Sequence, residues 1–502
     1  MKTIKNFFVL LCLSGSLKAQ TQTFKTVQPE MMQHELQILK AALITLHPGT
    51  YRYETPASID SVFAVFDRRE AKPMSQNRYF ILTGQLLTHI HCGHTYTNYW
   101  NQPKVISNAL FSKTCLPLLF RMIGRQMIIT DNLSDSKKIK PGDELVAING
   151  IPVKRIVDSL ITVSQSDGLH GLPRKLDNIS VEPLDADTSN YNLFDIYFPL
   201  FFPQNFDTDH YRLKLKAFNG GMYEDQVKSL SRTARLTTYN RRFGVLPVHE
   251  KDWSLKFLNE QTVCFTIGDF ETWEWKADYH KYLDSIFTVL NQKKVQNLIV
   301  DIRGNGGGDD AARDEVFSYL TDKPFGCDDP MHRRIRFLVI PDTLLPYLKT
   351  WDKSFKEPKD PNRYKKLPGG WYENKADSLG ACVPVQPKPN HFQGRLFLLT
   401  DGRNSSTTFT LAKMFRMAHA GEIIGETTGG NQQGINGGQF FFLYLPESKI
   451  EVDIPLIWGA YTGNKADTGL QPDIAVSITA ASVSRNDDAV LDFVLNQIAT
   501  GK

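Results

Sequence analysis

Apolar positions recur at two periods along the chain, and the change of period divides it. Between Met31 and about Trp100, Leu36, Leu39, Leu43 and Leu46 fall three and four residues apart. That spacing predicts a helix ending at Pro48-Gly49. A second helical stretch covers Tyr79 to Thr88 and runs into Ile90-His91-Cys92-Gly93-His94-Thr95-Tyr96. From about Val105 the apolar runs shorten to strand length. Leu116 to Ile129 predicts two strands about a turn near Gly124-Arg125, and Glu144 to Ile148 predicts another. The latter lies between Pro141-Gly142-Asp143 and Asn149-Gly150, both turn sequences. A helix over Ile151 to Val163 and a strand over Tyr211 to Phe218 follow.

From about Thr262 strand and helix alternate, the mark of an α/β layer fold. Val263–Ile267, Asn297–Ile302, Arg395–Thr400 and Glu422–Ile424 are the strand-like runs. Ala277–Leu290, Ala311–Leu320 and Thr407–Ala420 carry the helical pattern. The stretch from Phe325 to Phe392 is rich in Pro, Lys and Asp, and predicts a long insertion or lid rather than core. No internal repeat or low-complexity tract interrupts the chain.

Composition excludes several classes. With 502 residues, 41% hydrophobic, 22% charged and 11% aromatic, the chain is neither disordered, coiled-coil nor collagen-like. The formal charge is +4, with Lys2, Lys5 and Lys18 in the first 19 residues. Without that segment 55 basic residues face 54 acidic ones, which gives no bulk electrostatic drive toward nucleic acid or anionic lipid.

That first segment has the form of a secretory signal: Lys2 and Lys5, the apolar Phe7 to Leu13, then Leu17-Lys18-Ala19 before Gln20. Seven apolar residues cannot span a bilayer core of roughly 30 Å. Residues 1–19 are therefore expected to be removed, leaving an exported, periplasmic or extracellular protein with no transmembrane segment. Asn192 to Pro203 is rich in aromatic residues but is broken by Asp195 and Pro199. Cys92, Cys115, Cys264, Cys327 and Cys382 match no zinc spacing and are expected to be mostly buried thiols. A Cys327–Cys382 pair across a loop is the alternative in an oxidising compartment.

Three segments could carry chemistry. Asn297 to Ile302 runs as a buried strand into Arg303-Gly304-Asn305-Gly306-Gly307-Gly308. Such a glycine cluster implies positive φ or close backbone approach, and can aim N–H groups at an anion. No Gly-Lys-Ser/Thr follows to make a phosphate loop, and a plain tight turn is the other reading. The second segment, Asp401-Gly402-Arg403-Asn404-Ser405-Ser406-Thr407-Thr408, ends a strand and starts a helix. Its hydroxyls suit a helix cap, or one serine is a nucleophile at a helix N-terminus that stabilises an oxyanion. The third is His94. His89, His91 and His94 lack the one-face spacing of a helical zinc pair, so a structural histidine and a catalytic base are the competing readings.

In order, these segments resemble the serine peptidases that include the carboxyl-terminal processing (tail-specific) proteases and the tricorn core. Ile139 to Gly150 looks like the Pro-Gly-Asp to Asn-Gly stretch of a PDZ domain. Val263 to Phe270, Asp301 to Gly308, the Ser406 turn, Ile423-Ile424-Gly425-Glu426-Thr427-Thr428-Gly429-Gly430 and Gly469-Leu470-Gln471-Pro472-Asp473 follow in the family's order. The resemblance implies a multidomain α/β fold: signal peptide 1–19, N-terminal helical domain 20–104, PDZ-like β-rich domain with an insertion 105–230, and α/β catalytic core with a mixed sheet 231–502. It also implies hydrolysis of peptide or protein substrates without metal or organic cofactor.

Carried onto the family pattern, the nucleophile falls on Ser406. Oxyanion donors fall on Thr407 and on Gly306, Gly307 and Gly308. Processing proteases place a lysine base where this chain has Asn431, which cannot titrate. The tricorn-like branch takes a histidine from the N-terminal region, and Gly93-His94-Thr95-Tyr96 is similar to that segment, so the resemblance assigns the base to His94. Asp467 is its candidate for the branch's acidic group, with Ala466 the neighbouring alternative. A neutral imidazole suits a base that must also return a proton. Asn431 also leaves a competing expectation: an inactive scaffold that captures extended peptides by strand addition on the PDZ-like domain.

Overall fold

The computed structural model describes residues 23–186, 191–245, 253–326, 331–378 and 384–501. The signal-like segment, Cys327 and Cys382 lie outside the described residues. The fold is α/β and multidomain, with helices at the N-terminal side and three large sheets.

Helices Pro29–Leu46 and Gln76–Thr88 form where the apolar spacing predicts them. Between them lies Pro56–Glu70, which the spacing argument missed. Its start was written in Thr55-Pro56: the Thr55 side chain accepts the Ser58 N–H, and proline occupies the first turn. Strands Leu118–Ile123, Gln126–Asn132, Glu144–Ile148, His210–Lys216 and Met222–Lys228 make an antiparallel sheet, to which Ile151–Pro152 adds a short sixth strand beside Glu144–Ile148. Asn149 and Gly150 both take positive φ in the tight turn that follows Ile148. The aromatic stretch forms a buried helix, Leu193–Phe201, packed on Gln76–Thr88 and Val153–Leu160. Gly84 permits that approach, since a Cβ there would stand 2.9 Å from the Tyr197 hydroxyl.

The six-stranded sheet of the core runs Trp253–Phe257, Thr262–Ile267, Asn297–Asp301, Arg395–Thr400, Glu422–Gly425, Ile474–Ala475. Its first pair is antiparallel and the other four pairings are parallel. Leu298, Val300, Leu396 and Leu398 bury on one face, and Ile299, Phe397 and Leu399 on the other. Burial on both faces explains why these strands read as unbroken apolar runs.

The stretch from Phe325 to Phe392 is not a lid without structure. Its strands His332–Ile335, Leu348–Lys349, Tyr364–Lys366 and Tyr372–Asn374 join the third six-stranded sheet, built on the long hairpin Asn436–Tyr444 and Glu451–Ala460. Phe337, Ile340, Leu344 and Leu348 enter the same apolar core as the N-terminal helices and the antiparallel sheet of residues 118–228. Proline and lysine content concealed short strands whose partners lie far along the chain. Among the described residues, no helix is long and apolar enough to cross a membrane.

Candidate active site

Three adjacent parallel strands deliver their carboxyl ends to one place, the usual location of a site in an open α/β sheet. Asn297–Asp301 leads into the glycine loop, Arg395–Thr400 into the Ser406 turn, and Glu422–Gly425 into residues 426–431.

Two buried asparagines bind the first two loops together. Asn404 donates its side-chain amide to the carbonyls of Ile302 and Asn305, at 2.5 and 3.2 Å, and accepts from the Asp401 N–H. Asn305 donates to the Ile267 carbonyl and accepts from the Gly307 N–H and the Thr408 hydroxyl. Both side chains are fully buried, where an unpaired amide would be costly. These residues were missed in the sequence, although both strand ends spell the same progression, Asp301…Arg303…Asn305 and Asp401…Arg403…Asn404.

Ser406 is the first residue of helix Ser406–Met417 and has φ +51, the left-handed region that a residue with a Cβ avoids. Strain of this kind concentrates at functional turns between strand and helix. Gly307 lies against it: a Cβ there would stand 2.8 Å from the Ser406 Cβ and 3.3 Å from its Oγ. Ser405 and Thr407 are occupied in holding the glycine loop, their hydroxyls donating to the carbonyls of Gly306 and Gly308. Thr407 also reaches Asp310 at 2.6 Å. The Ser406 hydroxyl makes no hydrogen bond among the described residues.

The proposed oxyanion donors divide. The Gly307 N–H is given to Asn305, so it is not available in this structure. Among the described residues, no acceptor takes the N–H groups of Gly306, Gly308 or Thr407. Gly308 has φ +137, and a Cβ there would collide with the Phe270 backbone at 2.3 Å.

His94 follows helix Gln76–Thr88 in a loop fastened from two sides. Buried His47 bonds through Nε2 to the Thr95 hydroxyl at 2.6 Å, and its Nδ1 accepts the Gly49 N–H. Burial, reinforced by Arg52, holds His47 neutral by lowering its pKa to about 3. On the other side the Asp167 carboxylate accepts the Gly93 N–H at 2.9 Å, and the Gly168 N–H donates to the His91 carbonyl. The His94 ring is half-buried, and its Nδ1 is buried without a partner. Burial lowers its pKa and Arg174 lowers it further, while Asp167 opposes both. A neutral imidazole, able to accept a proton, is the consequence.

Asn431 and Asp467 form a pair of their own. Asn431 donates to Asp467 at 2.6 Å, and the other oxygen of Asp467 accepts the Leu169 N–H. Gly168, at φ +75, makes room for them, since a Cβ there would stand 2.0 Å from Asp467. The described contacts thus place Asp467 on the 167–169 loop, and Asp167, which the sequence reading did not single out, is the carboxylate whose charge raises the pKa of His94. The same segment reaches the nucleophile turn. Arg174 donates to the Gly402 carbonyl at 2.9 Å, and Gly429 donates to Asn404. His94 and Ser406 are therefore joined through the 167–174 segment, but no hydrogen bond links them directly in this structure.

His89 packs edge-on against Phe66 and His91 faces Glu54 at 3.5 Å. Among the described residues no three His, Cys, Asp or Glu side chains are grouped to hold a metal ion. Cys92, Cys115 and Cys264 are buried free thiols.

Residues 266–476 match the model of peptidase family S41. That span holds the glycine loop, Ser406, Asn431 and Asp467, while His94 and Asp167 lie before it. No protein in a search of curated sequences matches significantly. Among solved structures, mature CPAF superposes with a TM-score of 0.60 at 14% identity, covering 94% of this chain and 96% of that one. Mature CPAF complexed with lactacystin gives 0.61 at 14% identity, covering 94% and 99%. Residues 266–476 are thus a family S41 domain, and the chain is a serine-type peptidase.

Proposed function

We propose that this peptidase is exported, and that it cleaves peptide bonds through an acyl-enzyme on Ser406 with His94 as general base. The observation that carries the assignment is the left-handed Ser406, held at a helix N-terminus against Gly307, with its hydroxyl left free. A strained conformation fixed by two buried asparagines is what a nucleophile presented to substrate requires, and a helix cap does not. Ser406 Oγ attacks the carbonyl carbon as His94 takes its proton. The N–H groups of Thr407, Gly306 and Gly308 receive the oxyanion, each donor contributing on the order of 10²- to 10³-fold in rate. His94 then protonates the leaving amine and next activates water for deacylation.

Asn431 has no proton to exchange, and its amide tethers Asp467. We assign Asp467 the part of bracing the loop that bears Asp167, and Asp167 the part of facing the base. Export rests on the charged and apolar pattern of residues 1–19. A PDZ-like role for the antiparallel sheet of residues 118–228, capturing extended peptide at an edge, fits the Ile139–Gly150 turns.

A fluorophosphonate probe tests the nucleophile. Covalent labelling of the wild-type protein that is lost in Ser406→Ala is expected. Absence of labelling together with peptide binding would establish the inactive-scaffold alternative. N-terminal sequencing of protein recovered outside the cytoplasm should begin at Gln20, and Met1 in a cytosolic fraction would overturn export.

A further inference from the structure

An aromatic surface adjoins the base, and nothing in the mechanism above uses it. The Phe440 ring centre stands 5.8 Å from that of His94. Trp351 covers both Phe440 and Phe442, with ring centres 5.6 and 5.5 Å apart. Its indole nevertheless remains 59% exposed. Local structure puts it there. Leu348–Lys349 pairs with Asn436–Tyr444 in the register Leu348↔Leu443 and Lys349↔Phe442, so the chain leaves that edge at Trp351 directly over the hairpin.

Alternation along the hairpin strand does the rest. Phe441 and Leu443 point into the core, while Phe440 and Phe442 stay part-exposed on the opposite face. The pairing shifts register between Gly437 and Phe440, just before the ring that meets His94. Gly437 and exposed Gly438 leave the approach low, with nothing within 4 Å of a Cβ placed at Gly437.

We propose that Trp351, Phe440 and Phe442 form a substrate subsite for a large apolar or aromatic side chain on the leaving side of the scissile bond. The occupant follows from continuity with the base, so the proposal rests on the assignment of His94. In acyl transfer the imidazole hands its proton to the leaving amine. The peptide segment against the imidazole is therefore the one that departs, and its first side chains lie over the rings that adjoin it. Flat π-faces favour aromatic and branched aliphatic residues over acidic or small ones.

The test compares two quenched-fluorescence peptides that differ only in Phe or Ala immediately after the cleaved bond. Wild-type protein should prefer the Phe peptide in kcat/KM. Trp351→Ala should reduce that preference by about tenfold or more, the scale of one apolar contact surface, while the Ala peptide is cleaved nearly as before. Trp351→Phe should keep most of the preference, which separates a lost platform from a disturbed fold. Calorimetry of the same peptides on the Ser406→Ala protein, with and without Trp351→Ala, reads the subsite without turnover. Should wild type cleave neither peptide while the Trp351-dependent binding preference persists, the catalytic reading and the leaving-side assignment fail together, and the rings are left as a peptide-binding surface. An unchanged Phe/Ala ratio in both assays, or equal losses for the two peptides, overturns the subsite.

Discussion

Around Ser406 the side chains that frame the nucleophile close on loops of the same sheet: Asn404 on Ile302 and Asn305, Asn305 on Gly307 and Thr408, Thr407 on Gly308. Around His94 the partners come from distant segments, His47 on one side and Asp167 on the other, and the ring Nδ1 has none. The first region is rigid by local satisfaction, and its strain is carried on one φ angle. The second is assembled from loops whose mutual positions depend on the whole apolar core. One therefore expects the nucleophile half to tolerate little change of shape, and the base half to respond mainly through charge and loop position.

The largest effect is expected where the nucleophile half has no room. Gly307→Ala adds a Cβ 2.8 Å from that of Ser406 at a position with φ +130. Turnover should fall by about 10²-fold or more, as for a displaced reacting group, with the fold retained by circular dichroism. Near-normal kcat/KM would show that the glycine loop does not adjoin the reacting atoms.

In the base half, Asp167→Asn should keep the Gly93 contact through its side-chain oxygen while removing the charge. Asp167 raises the pKa of His94 against burial and Arg174, so its removal lowers that pKa further. The acid limb of kcat/KM should move to lower pH, and the plateau should drop, on the order of tenfold, because a weaker base takes the proton less well. Loss of activity with an unmoved limb would reduce Asp167 to a structural tie.

Asn431→Ala should separate the same two roles in the opposite sense. It leaves an oxygen of half-buried Asp467 and the Gln433 N–H without their partner, a cost of about 1 kcal/mol in stability. Activity per folded molecule should stay within about tenfold, well short of the loss of a catalytic group. The smallest effect compares Ser406→Gly with Ser406→Ala. Glycine adopts φ +51 without the Cβ penalty, so it should be the more stable of the two inactive proteins by about 1 kcal/mol in denaturant unfolding.

The same contrast explains what could be read in advance. Asn297–Asp301, Arg395–Thr400 and the glycine loop announce themselves because strand, turn and helix N-terminus are consecutive in sequence, so local rules suffice. The tight turn Asn149-Gly150 was legible for the same reason. Asp167 was not, because its hydrogen bond to Gly93 and its field at His94 leave no local pattern. The short strands between Phe325 and Phe392 escaped because strand pairing draws on a distant hairpin. His94 was reached through resemblance, since spacing could not choose between a buried histidine and a base.

That choice is the central claim, and a double-mutant comparison tests it most directly. Melting temperature, fluorophosphonate labelling and kcat/KM would be measured for His94→Ala, Ser406→Ala and the double variant. If base and nucleophile act as one unit, each single variant loses turnover by more than roughly 10³-fold with its melting temperature nearly unchanged, and the double variant is hardly worse. A folded His94→Ala protein with wild-type turnover would contradict the account.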